Sequence, residues 1–122
     1  MVEDGSGNRL RNERAETVRR IVSLEAELDG IIESAVLSNN DDEHDPDGAT
    51  TGYERAKTTA MLERARLRLI EIDDAVKRTT DGSYGRCDHC GGNIGEERLA
   101  AIPTTTRCAA CASLLRDRGP TR

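Results

Sequence analysis

The chain has 122 residues, a formal net charge of −5, 35% hydrophobic and 34% charged residues, two tyrosines and no phenylalanine or tryptophan. That mixture cannot fill a wide globular core, and its acidic balance argues against general nucleic-acid binding. It suits long exposed helices packed along a narrow seam.

Residues 1–8 include Gly5, Ser6, Gly7 and Asn8 and are expected to be disordered. From about Arg9 to Ser38 the pattern is helical. Thr17, Ile21, Leu24, Leu28, Ile31 and Ala35 recur at steps of four and three, which is a coiled-coil seam. Val18, Val22 and Ile32 widen that stripe, and Gly30 interrupts the pattern at a cost of about 1 kcal/mol relative to alanine. A polar stretch follows, with Asp41, Asp42, Glu43, His44, Asp45, Pro46, Asp47 and Gly48, and residues 39–50 are assigned to a loop. A second helical pattern runs from about Tyr53 to Thr80, with Leu62, Ala65, Leu69, Ile72 and Val76 in its seam and Met61, Leu67 and Ile70 beside it. Thr51 and Glu54 read as a capping box at its start, and Asp81-Gly82 ends it.

The two segments have similar lengths, and neither can bury its stripe alone. Pairing within one chain, with the acidic loop at the turn, is the economical arrangement. The fold class expected is mainly α: an antiparallel coiled-coil helical hairpin over residues 9–80, then a small C-terminal module and a short final helix over residues 81–118.

That module carries every cysteine of the chain, at Cys87, Cys90, Cys108 and Cys111, in the pattern C-x2-C-x17-C-x2-C. Each C-x2-C turn aims two thiolates at one point, and two such turns make the tetrahedral sulfur cage that zinc prefers. The expectation is one structural Zn²⁺ with four protein ligands and no open coordination position. Disulfide pairing is the competing reading, and no secretory context supports it. A redox switch on the same thiols is a further possibility. His89 sits inside the first turn and is expected to point outward. Gly85, Gly91 and Gly92 relax the backbone around it, and Pro103 interrupts any helix between the two pairs. Arg86, Arg98 and Arg107 are placed to offset the cage charge of −2, which follows from four thiolates and one Zn²⁺. No nucleophile–base pair is evident, so an enzyme is not expected.

Asp41, Asp42, Glu43, Asp45 and Asp47 put five acids in seven residues. Part of this is turn chemistry, and an acid before a helix favours its N-terminus. Glu43, Asp45, Asp47, Gly48 and Glu54 also fall on positions 1, 3, 5, 6 and 12 of an EF-hand-like loop, although Thr50 stands where an aliphatic residue is normal. A divalent-metal (calcium) sensor is therefore one alternative. A third reading is a probe that presents carboxylates to a catalytic magnesium or to basic residues of a larger partner.

Tyr84-Gly85-Arg86-Cys87 through Cys90-Gly91, then Ile94, Arg98-Leu99, Ala101, Pro103, Cys108 and Cys111, resembles the DksA/TraR family of bacterial transcription regulators. The spacing of that family's motif is kept throughout, and the chain is similar to a short, actinobacterial-type member. No stretch is apolar enough to cross a bilayer and no signal-peptide core is present, so a cytoplasmic address is expected, and with it a monomer. The resemblance implies a non-enzymatic regulator whose hairpin enters the secondary channel of RNA polymerase, with acids at the tip acting near the active centre. It implies no sequence-specific DNA contact. The family's tip has the form D-x2-D-x-A. Asp47 and Ala49 fall on its second acid and alanine, and His44 falls on its first acid, where Asp45 or Glu43 could substitute. Arg64 falls where longer members carry a basic residue that meets the channel rim. Glu71 replaces a lysine that they link to guanosine tetraphosphate. A zinc-stabilised interaction or thiol redox-sensing protein with another partner is the remaining alternative.

Overall fold

The computed structural model describes residues 4–41 and 48–118, with side chains described over 5–37 and 50–114. Four helices occur there: α1 (Asp4–Asp41), α2 (Gly48–Asp81), α3 (Glu96–Ala101) and α4 (Ala109–Arg118). Among the described residues the only β pairing is an isolated antiparallel bridge between Arg86 and Asn93. The chain divides into two compact units, one of Arg14–Ile70 and one of Met1–Glu13 with Glu71–Arg122.

In the unit of Arg14–Ile70, α1 and α2 pair along the seam that the heptad spacing marks. Ile21, Leu24, Leu62 and Ala65 form its buried cluster, flanked by Leu28, Met61 and Leu69. These side chains recur on one face of each helix, so joining the faces removes both stripes from water at once. Arg66 donates to Glu25 across the pair at 2.9 Å. Both side chains are about half exposed, so this ion pair fixes register more than it stabilises. Val22, Leu67 and Ile70 flank the seam in sequence but are exposed, at 59%, 61% and 57%.

In the other unit, Leu10, Ile72 and Ala75 are completely buried. The helix begins at Asp4 rather than near Arg9, so residues 5–8, expected to be disordered, are helical. Glycine and asparagine are weak helix formers. Here the segment leads into Leu10, which is fully buried, and burial of that side chain favours the helix against local propensity. The loop expected over residues 39–50 is shorter, because α1 reaches Asp41 and α2 begins at Gly48. Thr51 and Glu54 therefore lie inside α2 and not at a cap.

The end of α2 follows the sequence. Gly82 takes φ +87°, a conformation that costs glycine little, and the N–H groups of Gly82, Ser83 and Tyr84 all donate to the Arg78 carbonyl. The Asp81 carboxylate accepts the Ser83 hydroxyl and N–H at 2.7 and 3.0 Å, and these bonds lower its pKa. Among the described residues, no helix is long and apolar enough to cross a membrane.

A four-cysteine metal centre

Each cysteine pair is set by a different local structure. The first follows a turn in which the Cys87 N–H donates to the Gly92 carbonyl at 2.8 Å and the Gly91 N–H donates back to Cys87 at 3.0 Å. Gly91 takes φ +77°, which a side chain would strain. The N–H groups of His89 and Gly92 point at the Cys87 and Cys90 sulfurs, both at 3.4 Å. The second pair straddles the start of α4: Cys108 lies just before it, Cys111 inside it, and Ala112 N–H donates to the Cys108 carbonyl. The final helix thus starts before Cys111. Between the pairs lies α3, a six-residue helix absent from the sequence expectation. It ends two residues before Pro103, consistent with the restriction that proline imposes.

Three contacts bring the pairs together. The Asp88 N–H donates to the Thr106 carbonyl at 2.8 Å, Arg107 Nε meets Asp88 Oδ1 at 3.3 Å, and Arg98 Nε donates to the Arg107 carbonyl at 2.8 Å. Arg98 and Arg107, expected near the cage, hold the segment that leads into its second half. Beneath it Ile94 and Leu99 pack with Cys87 and Cys111, and Tyr84 and Cys108 lie at the margin.

All four Sγ atoms lie within 4.8 Å of one another. Cys90 and Cys108 are 3.9 Å apart, close to the ~3.8 Å that a tetrahedron with Zn–S bonds of about 2.3 Å requires. That distance is far from the ~2.05 Å of a disulfide, and all four thiols are free. The electrostatics point the same way. N–H groups of Cys90, Cys108 and His89 hold the Cys87 thiol down at about 6. Burial and the three neighbouring sulfurs push Cys111 up to about 12. Four thiolates cannot share this space without a cation, and a divalent one resolves the conflict. The centre fits one structural zinc. His89 is exposed and stands outside the sulfur cluster. Cys87→Ser or Cys108→Ser is expected to abolish zinc retention, whereas His89→Ala keeps one equivalent, as metal analysis of the reduced proteins would read.

The other sequence-predicted residues are not gathered here. Arg64 is exposed on α2 in the unit of Arg14–Ile70, bordering shallow grooves shared with Thr17, Arg20 and Arg68 on one side and Tyr53 and Lys57 on the other. Ala49 lies in α2, and its side chain is outside the described residues, as are Glu43, His44, Asp45 and Asp47. The EF-hand alternative is not favoured by α2. Gly48, where such a loop would turn, is already helical, and Glu54 sits beyond the first turn.

A helical hairpin joined to a closed four-sulfur centre defines a zinc-finger protein of a small class. Residues 82–114 match the prokaryotic dksA/traR C4-type zinc finger. The chain is 42% identical over 60 residues to the RNA polymerase-binding transcription factor DksA of Caulobacter vibrioides, covering 49% of this chain and 42% of that protein. It is 40% identical over 72 residues to the uncharacterized protein YteA of Bacillus subtilis, covering 59% and 30%. The solved structure of transcription factor DksA2 from Pseudomonas aeruginosa aligns with a TM-score of 0.61 at 26% identity, covering 95% of this chain and 87% of that one. Residues 82–114 are thus a dksA/traR-type zinc finger, and the chain as a whole is similar in sequence and fold to DksA proteins. It spans less than half the length of the curated relatives it matches.

Proposed function

We propose that the protein regulates transcription by binding RNA polymerase through its secondary channel, with the acidic segment between α1 and α2 acting near the active centre. The observation that carries this reading is the correspondence of fold over 95% of the chain with a DksA2 transcription factor, hairpin and finger together. Relatives named as RNA polymerase-binding support the choice of partner. The finger is a closed structural site without an open ligand position, so the regulator performs no reaction itself. It works as a cytoplasmic monomer. With a net charge of −5, it reaches DNA only through its partner.

The two ends of the mechanism call on different chemistry. Arg64 stands among Tyr53, Lys57, Met61 and Arg68, where cations flank apolar atoms. Such a surface can meet an acidic protein face and exclude water from it. The tip segment offers carboxylates and few apolar atoms, so it acts on charge near the catalytic magnesium and contributes little affinity.

Co-purification with polymerase core tests the reading. The zinc-loaded protein is expected to be retained by the core, and a variant with residues 42–47 replaced by a neutral linker is expected to be retained while losing its effect on transcription. Failure of the intact protein to bind core would reject the partner. A thiol-sensing role is the second reading, favoured by the exposure of Cys90 within the cluster. It would show as regulation that survives loss of polymerase binding.

A further inference from the structure

Tyr84 does more than close the finger's apolar margin. Its hydroxyl donates to the Pro103 carbonyl at 2.9 Å, in the segment between α3 and the second cysteine pair. Ser6, Arg9 and Glu13 of α1 all stand near enough to the same phenol to influence its charge. Residues 6, 9 and 13 lie on one face of α1, at spacings of three and four. Tyr84 is therefore bonded to the metal-bearing module and lies beside the first turns of α1. A second tie runs parallel to it: Arg78, near the end of α2, donates through Nη2 to the carbonyl of Thr104, next to Pro103. Both acceptors, the carbonyls of residues 103 and 104, sit on a short turn closed by Thr105 N–H to the Ile102 carbonyl. That turn leads straight into the second cysteine pair, and next to it the Thr106 carbonyl accepts the Asp88 N–H from between Cys87 and Cys90.

We infer that Tyr84, with Arg78, forms a clasp that couples metal loading to the order of the helix ends, residues 4–13 of α1 and 71–81 of α2. With the four sulfurs gathered, the carbonyls of Pro103 and Thr104 are held where the clasp can reach them. When the sulfurs separate, both acceptors move and the phenol loses its anchor. The first turns of α1 are rich in glycine and cannot hold a helix by propensity alone. Coupling of this kind is reciprocal: whatever the metal does for residues 4–13, their packing returns to the metal's affinity. Residues 14–70 have their own buried cluster and stand outside this linkage.

Hydrogen exchange on the full chain, reduced and either zinc-loaded or chelated, tests the clasp without reference to polymerase. Chelation is expected to raise exchange at residues 5–13 and 71–81 by about tenfold or more, while amides around Ile21, Leu24, Leu62 and Ala65 keep their protection. Zinc affinity, measured by competition with a chromophoric chelator, is expected to fall about fivefold in Tyr84→Phe, on the scale of one lost neutral hydrogen bond. Ser6→Ala leaves every bond within the finger intact and is expected to lower zinc affinity about threefold through α1. Unchanged zinc affinity in Ser6→Ala together with unchanged exchange at residues 5–13 on chelation would overturn the clasp. Loss of protection throughout residues 14–70 would also overturn it, because the metal would then govern the whole fold.

Discussion

Chelating the metal from the reduced protein is expected to unfold residues 82–114 while residues 14–70 remain helical. Among the described residues, the finger's buried cluster contains two aliphatic side chains, Ile94 and Leu99, besides its cysteines. Each contributes about 2–3 kcal/mol when buried, which cannot offset the entropy of ordering the module. The metal takes the place of the missing core, and structural zinc sites of this kind supply about 10–16 kcal/mol of apparent binding free energy. The helices of the module are short, 6 and 10 residues against 38 and 34 in α1 and α2. Far-UV circular dichroism should therefore lose only a minor part of its helical signal, while exchange protection in residues 82–114 disappears. One equivalent of zinc should be present in protein purified under reducing conditions. A metal-free reduced protein with a protected finger would refute the argument.

The parts of this fold that sequence could supply are those in which one residue type at a fixed spacing has one structural use. Four cysteines in two C-x2-C turns define a sulfur cage wherever they fold, and the sulfurs meet in the structure. Ile21, Leu24, Leu62, Ala65 and Ile72 are buried because a three-four spacing keeps them on one helical face. Periodicity was less able to separate seam from flank: Val22, Leu67 and Ile70 neighbour the stripe and stay exposed. Ala75 and Thr58 are buried although neither stands out by hydrophobicity or size.

The larger omission is the start of α1. Gly5, Ser6, Gly7 and Asn8 carry no helical preference, yet they are helical, and Ser6 stands near Tyr84, more than seventy residues away in sequence. No local rule contains that partner. Leu10 was the available signal, an isolated leucine ahead of the seam that turns out to be fully buried. The short α3 was similarly hidden. Glu96 and Glu97 in its first turn suit a helix N-terminus, and Gly95 before it takes φ +103°. A six-residue helix is too short for periodicity to reveal.

Asp47→Asn is expected to abolish the effect on transcription while leaving polymerase binding nearly unchanged, and Arg64→Ala is expected to weaken binding. The first substitution keeps the shape of the side chain and removes one charge, so it isolates the electrostatic role of the tip. If a carboxylate acts on a catalytic metal or on basic groups around it, removing its charge removes the action and little of the contact area. Arg64 differs in kind. It is exposed on α2 beside Met61 and within a group of cations, so its loss removes packing along with a charge. A truncated arginine of this sort at an interface costs about 1–2 kcal/mol, or roughly 5- to 30-fold in affinity. The same two variants would be followed in a competition binding assay and in transcription in vitro, each with its zinc content checked, since both positions lie far in sequence from the cysteines. Parallel loss of binding and function in Asp47→Asn would make the tip an anchor and reject the probe mechanism. If neither variant changed binding or transcription, the polymerase assignment itself would fail. Dependence on salt separates the two further: weakened binding of Arg64→Ala should be accompanied by a shallower salt dependence, because a screened charge contact has been removed, whereas Asp47→Asn should leave that slope as it was.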